Sequence, residues 1–138
     1  MTQFSILCDG KSKEKRGSWA IVVLKEGDEL KRPYYQDSST VRGVSHNEME
    51  WEAVCQAFEY CRKQGWTEKD VVILTDSELV VKQLKLEYKV GKKLSKYFVK
   101  ANMLRKLTGD IEVEHVNRKT VSKADVLADI NWVVEFGD

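Results

Sequence analysis

Two short strand-forming runs that each end on an aspartate constrain this chain most. The first is Phe-Ser-Ile-Leu-Cys-Asp-Gly, ending at Asp9 and Gly10, and the second is Val-Val-Ile-Leu-Thr-Asp, ending at Asp76. A buried strand has no structural use for an unpaired carboxylate at its end, because burial of the charge is costly or shifts its pKa. Apolar runs of this kind predict parallel neighbouring strands, which would place the two aspartates side by side at the carboxyl edge of a sheet. Taken singly, each is also explained as an ordinary turn or N-cap residue.

A capping signal predicts the longest helix. Ser45 and Glu48 have the spacing of a capping box, and Gly65 provides a C-terminal stop, so we expect a helix from His46 to Gln64. The apolar stripe of this helix recurs every three or four residues, at Ala53, Val54, Ala57, Phe58 and Cys61.

The same spacing, extended backwards, reaches Glu50 in the first turn. We interpret Glu50 as a carboxylate on the inward face, and Glu48, Glu52 and Glu59 as solvated. The alternative is that the stripe starts at Ala53 and that Glu50 only stabilises the positive end of the helix.

The other patterns predict short strands in the first third of the chain and helices with one more strand in the last half. The expected elements are a charged turn at Lys11–Arg16, a strand at Gly17–Leu24, an edge strand at about Glu29–Gln36 containing Pro33, a polar loop at Asp37–Val44, a helix at Ser77–Leu86, a second helix from beyond Gly91 to Leu107 with the apolar face Leu94, Tyr97, Phe98, Ala101, Leu104 and Leu107, a strand at Asp110–Val116, and a helix at Ser122–Val134.

Positive charge is concentrated in one part of the chain. Nine Lys or Arg and two acidic residues lie between Ser77 and Leu107, whereas the whole chain has a net charge of +1. This basic segment has the electrostatic character of a phosphate-backbone binder, although a solvated helix face would look similar. Lys89, Lys92 and Lys93, at the break between its two helices, are the candidate contacts.

A fourth acid, Asp125, falls in the first turn of the last predicted helix. The packing positions expected there are Val121, Ala124, Leu127, Ala128, Ile130 and Val133. Four carboxylates at the ends of two strands and in the first turns of two helices would repel one another unless cations neutralise them. Hard oxygen ligands of this kind favour Mg²⁺ or Mn²⁺.

Composition limits the remaining possibilities. A chain of 138 residues with 42% hydrophobic and 33% charged residues is typical of one globular domain, which we expect to span residues 1–138. No stretch has the length or polarity of a membrane span or signal peptide, so we expect a cytoplasmic location. We also expect the protein to be a monomer. Three cysteines without C-x-x-C spacing read as packing residues: Cys8, Cys55 and Cys61.

Taken together, the motifs resemble ribonuclease H of type 1. The resemblance is carried by four short motifs in the family's order, Cys8-Asp9-Gly10, Asn47-Glu-Met-Glu50, Leu74-Thr-Asp76-Ser77 and Ala124-Asp125-Val-Leu-Ala128. It spans nearly the whole chain. The similarity is to the compact archaeal and plant-type members, which lack an additional basic helix.

The resemblance implies an α/β fold with a five-stranded mixed sheet in the order 3-2-1-4-5 and helices on both faces. It also implies endonucleolytic hydrolysis of the RNA strand of an RNA–DNA hybrid. Asp9 would bridge two Mg²⁺ or Mn²⁺ ions, and the other three acids would complete the two sites. The implied substrate contacts are Gly10, Asn47, Ser77 and Arg118, beside the three lysines of the basic segment.

The sequence also departs from the family pattern. Lys11 stands where a serine often follows Asp-Gly, and the histidine that many members hold before the last helix is missing. His115 reads as a strand or core histidine, and His46 at a helix start is not the positional equivalent of the missing residue. The alternatives are a junction resolvase or DNA-directed nuclease of the same fold, or a non-catalytic nucleic-acid-binding module. Loss of an acid would favour the last of these, and all four acids are present.

Overall fold

The computed structural model describes residues 2–28 and 32–137 of the chain. Within these ranges it contains strands β1 Phe4–Lys13, β2 Arg16–Lys25, β3 Tyr35–Arg42, β4 Val71–Thr75 and β5 Val113–His115, helices α1 His46–Gln64, α2 Glu78–Leu84, α3 Ser95–Thr108 and α4 Ser122–Phe136, and a 3₁₀ turn at Arg118–Val121.

The strands form one mixed sheet in the order β3-β2-β1-β4-β5. β1 pairs antiparallel with β2, and β2 pairs antiparallel with β3, whereas β4 lies parallel to both β1 and β5. The predicted fold class and strand order are therefore confirmed.

Helices cover both faces of the sheet, as expected. On one face, α1, α2 and α3 enclose the larger core around Trp51 and Phe58, whereas Ala124 and Ala128 of α4 pack on the other face. Side chains along β1 alternate between the two cores, because successive residues of a strand point to opposite faces. Cys8 thus faces α1, and Leu7 faces α4.

Helix α1 has the bounds that its capping signals predict. The Ser45 hydroxyl accepts the backbone N–H of Glu48, and the Glu48 carboxylate accepts the backbone N–H of Ser45, which completes the capping box. Gly65 ends the helix with a φ of 72°, in the left-handed region that favours glycine.

The charged segment after Gly10 is largely strand, and the predicted turn at Lys11–Arg16 is too long. Lys13 pairs with Arg16, so the turn contains only Glu14 and Lys15, with φ values of 53° and 60°. Positive φ at both positions matches the twist of the flanking strands, although these residue types rarely adopt it. Lys11 consequently lies within β1.

The third strand begins later than predicted. Residues 29–31 of the expected strand lie outside the described residues, and the expected polar loop at Asp37–Val44 is mostly strand, since β3 spans Tyr35–Arg42. Pro33 precedes the strand, because it cannot donate to the ladder. The polar character of β3 reflects its exposed position at the sheet edge, which concealed it from sequence patterns.

Three predicted helix-face positions are wrong. Leu107, Ile130 and Val133 have exposed fractions of 72%, 56% and 60%. Thr108 is buried at the end of α3 instead of Leu107. The last turns of α4 contact β3 and the start of β2 through a polar residue and an amphipathic one: Asn131 donates to the Ser38 hydroxyl, and the Trp132 indole donates to the carbonyl of Arg16.

The other predicted bounds need smaller corrections. Helix α2 ends at Leu84 rather than Leu86, because Leu86 has a φ of 63°, outside the helical region. The last strand is limited to Val113–His115, and α4 extends to Phe136.

Candidate active site

Three of the four predicted acids converge at the carboxyl edge of the sheet. One carboxylate oxygen from each of Asp9, Glu50 and Asp76 lies within 4.8 Å of the others. The parallel register of β1 and β4 pairs Cys8 with Thr75, so Asp9 and Asp76 follow at adjacent positions. Glu50 reaches them as the fifth residue of α1, just beyond the predicted first turn, and it lies on the inward face as the extended stripe predicted.

Asp125 joins this group from α4, which packs on the face of the sheet opposite to α1. It lies in the first turn of α4, lines the same pocket as the other three acids, and shares a hydrogen bond with Asp9. All four predicted acids therefore occupy one site. We refer to it as the acidic pocket, lined by Asp9, Gly10, Lys11, His46, Glu50, Asp76, Arg118 and Asp125.

Gly10 lets α1 approach β1 closely enough for Glu50 to enter the pocket. A Cβ atom at this position would lie 2.2 Å from the carbonyl carbon and oxygen of Met49, well inside contact distance. The Gly10 N–H donates to Glu50 Oε1 over 2.7 Å, which fixes the carboxylate. The glycine of the Asp-Gly motif thus serves the geometry of the acids directly.

The crowding of carboxylates perturbs their ionisation. Burial, the hydrogen bond with Asp125 and the charge of Asp76 raise the pKa of Asp9 to about 8. Burial and the charges of Asp9 and Asp76 raise the pKa of Glu50 to about 9, against the lowering effect of the Gly10 N–H. The two inner acids therefore favour their protonated forms at neutral pH when no added cation faces them.

Asp125 has the opposite electrostatic environment. Burial alone would raise its pKa, but the hydrogen bond with Asp9 and the charges of Lys11 and Arg118 hold it below the usual range. Lys11 Nζ lies 3.3 Å and Arg118 Nη2 3.7 Å from Asp125 Oδ1. The pocket thus combines two acids with raised pKa values, Asp9 and Glu50, with a third, Asp125, whose ionised form is stabilised by protein cations.

Asp9, Glu50 and Asp76 together fit a divalent metal ion. Asp76 Oδ1 is buried and has no hydrogen-bond partner among the described residues, which is costly for a carboxylate oxygen. A metal ion coordinated by this oxygen and by the carboxylates of Asp9 and Glu50 would give the oxygen a partner and would relieve the repulsion between the three acids. The all-oxygen donor set matches Mg²⁺ or Mn²⁺.

Two further residues of the acidic pocket escaped sequence reasoning. The sequence predicts Lys11 to lie in a turn, but β1 continues through it, and strand alternation places it on the face of Asp9. A two-residue hairpin signal would have revealed this, but Glu14-Lys15 does not resemble one. His46, the first residue of α1, also lines the pocket.

The predicted substrate contacts near the acids occupy different settings. Asn47 is exposed in the first turn of α1, and Arg118 is exposed at the start of the 3₁₀ turn. Ser77 is buried, and its hydroxyl accepts the Val80 N–H as the cap of α2. Gly10 is also buried, with its N–H donated to Glu50.

The three candidate lysines of the basic segment are exposed in the connection between α2 and α3. Lys93 Nζ lies 3.8 Å from Glu48 Oε1, so this connection passes beside the N-terminus of α1. Glu48 is buried, contrary to the prediction that it is solvated, because the Tyr97 hydroxyl of α3 donates to it over 3.2 Å. Glu52 and Glu59 are partly exposed.

A buried amide ties the same connection to the core. The Gln83 side chain donates to the carbonyl of Lys89 over 2.9 Å and accepts the indole N–H of Trp51 over 2.7 Å. Trp51 follows Glu50 in α1, so the basic segment is attached to the helix that carries one of the acids.

The second histidine is separate from the acidic pocket. His115 lies on β5, as the strand interpretation predicted, but it is exposed rather than part of the core, and it lines a different depression with Lys82 and Lys85.

The cysteines are buried and free. Burial raises the pKa of Cys55 and of Cys61 to about 12, and that of Cys8 well above the usual range, which disfavours the reactive thiolate.

Within residues 2–28 and 32–137, no helix combines the length and apolar character needed to cross a membrane.

A search of curated proteins finds no sequence match.

Solved structures of ribonucleases H share the fold. The N-terminal RNase H domain of a Mycobacterium tuberculosis protein, solved as a fusion with maltose-binding protein, is 24% identical, with a TM-score of 0.84 over 97% of this chain and 96% of that one. RNase H1 from the halophilic archaeon Halobacterium salinarum is 24% identical, with a TM-score of 0.81 over 93% and 96%. LC11-RNase H1 in complex with an RNA/DNA hybrid is 22% identical, with a TM-score of 0.83 over 96% and 98%.

These likenesses confirm the ribonuclease H fold predicted from the four motifs. A family model described as reverse transcriptase-like matches residues 7–130, which include all four acids. The chain belongs to the reverse transcriptase-like family.

Proposed function

We propose that this protein is a divalent-metal-dependent endonuclease that hydrolyses the RNA strand of RNA–DNA hybrids. The observation that carries the proposal is the convergence of Asp9, Glu50 and Asp76 within 4.8 Å, joined by Asp125, on this fold. One of the similar structures is a complex with an RNA/DNA hybrid, which supports the choice of substrate.

The four acids are the proposed catalytic residues and metal ligands. Two Mg²⁺ or Mn²⁺ ions bound there with substrate would supply an activated water and stabilise the leaving 3′-oxygen. Asp9 is placed to contact both halves of the pocket, since it neighbours Asp76 on the sheet and hydrogen-bonds Asp125. The Gly10 N–H holds the Glu50 carboxylate in position before any ion arrives.

The proposed hybrid-binding surface lies beside the acidic pocket. Asn47 and Lys93 lie at the same end of α1, where Lys93 contacts Glu48. Lys89, Lys92 and Lys93 would contact phosphates, which position a duplex without identifying its sequence. Asn47, with Gly10 and Ser77 near the acids, is the proposed contact to the RNA strand, and Arg118 contributes a further charge at the pocket rim.

A substrate panel tests the reaction. The chain is incubated with end-labelled RNA–DNA hybrid, double-stranded RNA, double-stranded DNA and a four-way junction, each with Mg²⁺ or Mn²⁺. We expect metal-dependent internal cleavage of the RNA strand of the hybrid alone. Cleavage of the junction or of DNA would favour a different nuclease of this fold, and binding without cleavage would favour a non-catalytic module.

The Asp76→Asn variant is the control for the site. It removes a ligand charge at nearly constant volume, so hybrid cleavage should be lost while hybrid affinity stays within a few-fold. A variant that cleaves at a rate near that of the unmodified chain would refute the assignment of the acids.

A charge-matched comparison tests the binding surface. Neutralising Lys89, Lys92 and Lys93 to Gln should weaken hybrid binding and flatten its salt dependence, with a log–log slope change of about 0.9 per lost phosphate contact. The control triple removes the same charge from the opposite end of the sheet, at Lys25, Lys63 and Lys69, which are also exposed. Equal affinities and salt slopes in the two triple variants would mean that the basic segment is only a solvated face.

The single-domain organisation, monomeric state and cytoplasmic location remain predictions.

A further inference from the structure

Lys11 places an ammonium group against the Asp125 side of the acidic pocket. Its Nζ lies 3.3 Å from Asp125 Oδ1 and also donates to a carboxylate oxygen of Asp129. Asp129 follows Asp125 by four residues on α4, so the two carboxylates approach Lys11 from one face of the helix. The Lys11 side chain is only 21% exposed, which limits competition by water for these contacts.

The strand fixes this placement. Lys11 follows Asp9 by two residues in β1, and side chains two apart in a strand point to the same face. Lys11 at the usual position of a family serine therefore enters the pocket, rather than extending into solvent from a turn.

The two sides of the pocket consequently differ in how they are neutralised. Arg118 and Lys11 both pair with Asp125. On the other side, a buried oxygen of Asp76 has no hydrogen-bond partner among the described residues, and Glu50 accepts the Gly10 N–H and lies beside the Asp76 carboxyl group. Among the described residues, no Lys or Arg forms an ion pair with Glu50 or Asp76, in contrast to the pairs that Lys11 and Arg118 make with Asp125.

We infer that Lys11 is an internal competitor for cations at Asp125, which makes the two sides of the acidic pocket unequal in their affinity for divalent ions. One ion binds tightly through Asp9, Glu50 and Asp76, and binding of a second ion at Asp125 requires displacement of the Lys11 ammonium. This inference rests on the metal-dependent function proposed above. Lys11 acts here as a positioning residue that sets metal occupancy.

Direct Mn²⁺ binding tests the inference without substrate. Free Mn²⁺ is measured by electron paramagnetic resonance while the intact chain is titrated, and the unmodified chain is compared with Lys11→Met, Lys11→Gln, Lys11→Arg and Lys13→Met. Lys11→Gln keeps a donor for Asp125 and Asp129, so it preserves the test if the Met variant does not fold. Lys13→Met removes the same charge from an exposed position on the same strand.

We expect two classes of Mn²⁺ site in the unmodified chain. Lys11→Met and Lys11→Gln should tighten the weaker class by about tenfold or more, and Lys13→Met by less than about twofold, because a charge in direct contact acts far more strongly than one screened by solvent. Lys11→Arg should retain the weak second site.

Two results would overturn the inference, and they are distinguishable. Unchanged weak-site affinity in both Lys11→Met and Lys11→Gln, with the tight site intact, would refute the role of Lys11 while leaving the proposed function standing. Absence of Mn²⁺ binding to the unmodified chain and to every variant would also refute the inference, and the proposed function would then be decided by the metal dependence of cleavage in the substrate panel.

Discussion

Replacing Glu50 with Gln should stabilise the metal-free protein, and the gain should grow with pH. The substitution keeps the volume of the side chain and an oxygen that can accept the Gly10 N–H. In the unmodified chain, the Gly10 nitrogen lies 2.7 Å from Glu50 Oε1. It removes a carboxyl group that is 5% exposed and lies among other acids. The variant thus separates the electrostatic cost of the site from its packing.

The sign and size follow from the pKa of Glu50, which is raised from 4.5 to about 9. The folded chain holds this proton over a pH range in which the unfolded chain has lost it, so stability falls as pH rises from about 4.5 to about 9. Each pH unit costs up to about 1.4 kcal/mol for one group. From pH 5 to pH 7 the upper limit is about 2.7 kcal/mol, and coupling to Asp9 reduces it, so we expect the advantage of the variant to grow by about 1–3 kcal/mol.

Urea denaturation in EDTA at pH 5, 6 and 7 measures the effect. Glu52→Gln, two residues along the same helix and outside the acidic pocket, is the control, and it should show little change at any pH. Saturating Mn²⁺ should make the unmodified chain the more stable of the two, because the ion stabilises the folded state to which it binds. The variant lacks one of the proposed ligands and should gain less. A Glu50→Gln gain that is absent, or equal at pH 5 and pH 7, would refute the account of the site as a cluster of strained acids.

Three further substitutions test the scaffold of the site. Gly10→Ala should cost at least about 2–3 kcal/mol in denaturant unfolding and lower hybrid cleavage, because the added Cβ would meet the α1 backbone at 2.2 Å; a stability equal to that of the unmodified chain would contradict the close approach. Ser45→Ala should cost about 0.5–2 kcal/mol by removing the cap of α1, measured in the same way, and no loss would mean that the capping box is redundant. Joint replacement of the buried cysteines with Ala should cost roughly 1–3 kcal/mol and leave cleavage intact under reducing conditions, whereas a folded but inactive variant would show a chemical role for Cys8, Cys55 or Cys61.

The acids were predictable because each is fixed by local signals. The strand runs before Asp9 and Asp76 end abruptly, and the capping box at Ser45 sets the helical phase that brings Glu50 inward. Once these elements form, the parallel register of β1 and β4 leaves little freedom in where the carboxylates meet. Periodicity and capping were therefore sufficient for this part of the site.

The contacts around the acids were less predictable, because they depend on the tertiary structure. Lys11 reaches the pocket only because the hairpin turn accepts positive φ at Glu14 and Lys15, for which the sequence carries no strong signal. Glu48 is buried because Tyr97, 49 residues further along the chain, donates to its carboxylate. Helical periodicity cannot anticipate such pairs, since it describes one helix at a time.

The edge strand β3 and the exposed face of α4 were predicted incorrectly from the sequence for a related reason. β3 is polar because one side of it faces solvent, and a pattern of Ser, Thr and Asp is indistinguishable from a loop without knowledge of its partner β2. The exposed Ile130 and Val133 of α4 follow the same logic, because their spacing is that of a buried stripe although no described element covers them.

The buried amide of Gln83 has a mechanical consequence. Its nitrogen donates to the carbonyl of Lys89 and its oxygen accepts the indole N–H of Trp51, so two hydrogen bonds join the lysine-bearing connection to the start of α1. Any duplex bound by the lysines of that connection would then lie at a constant distance from Glu50. The distance between the lysine contacts and the site of cleavage would then be set by buried hydrogen bonds, and surface charge would change the lifetime of the complex but not the position of cleavage.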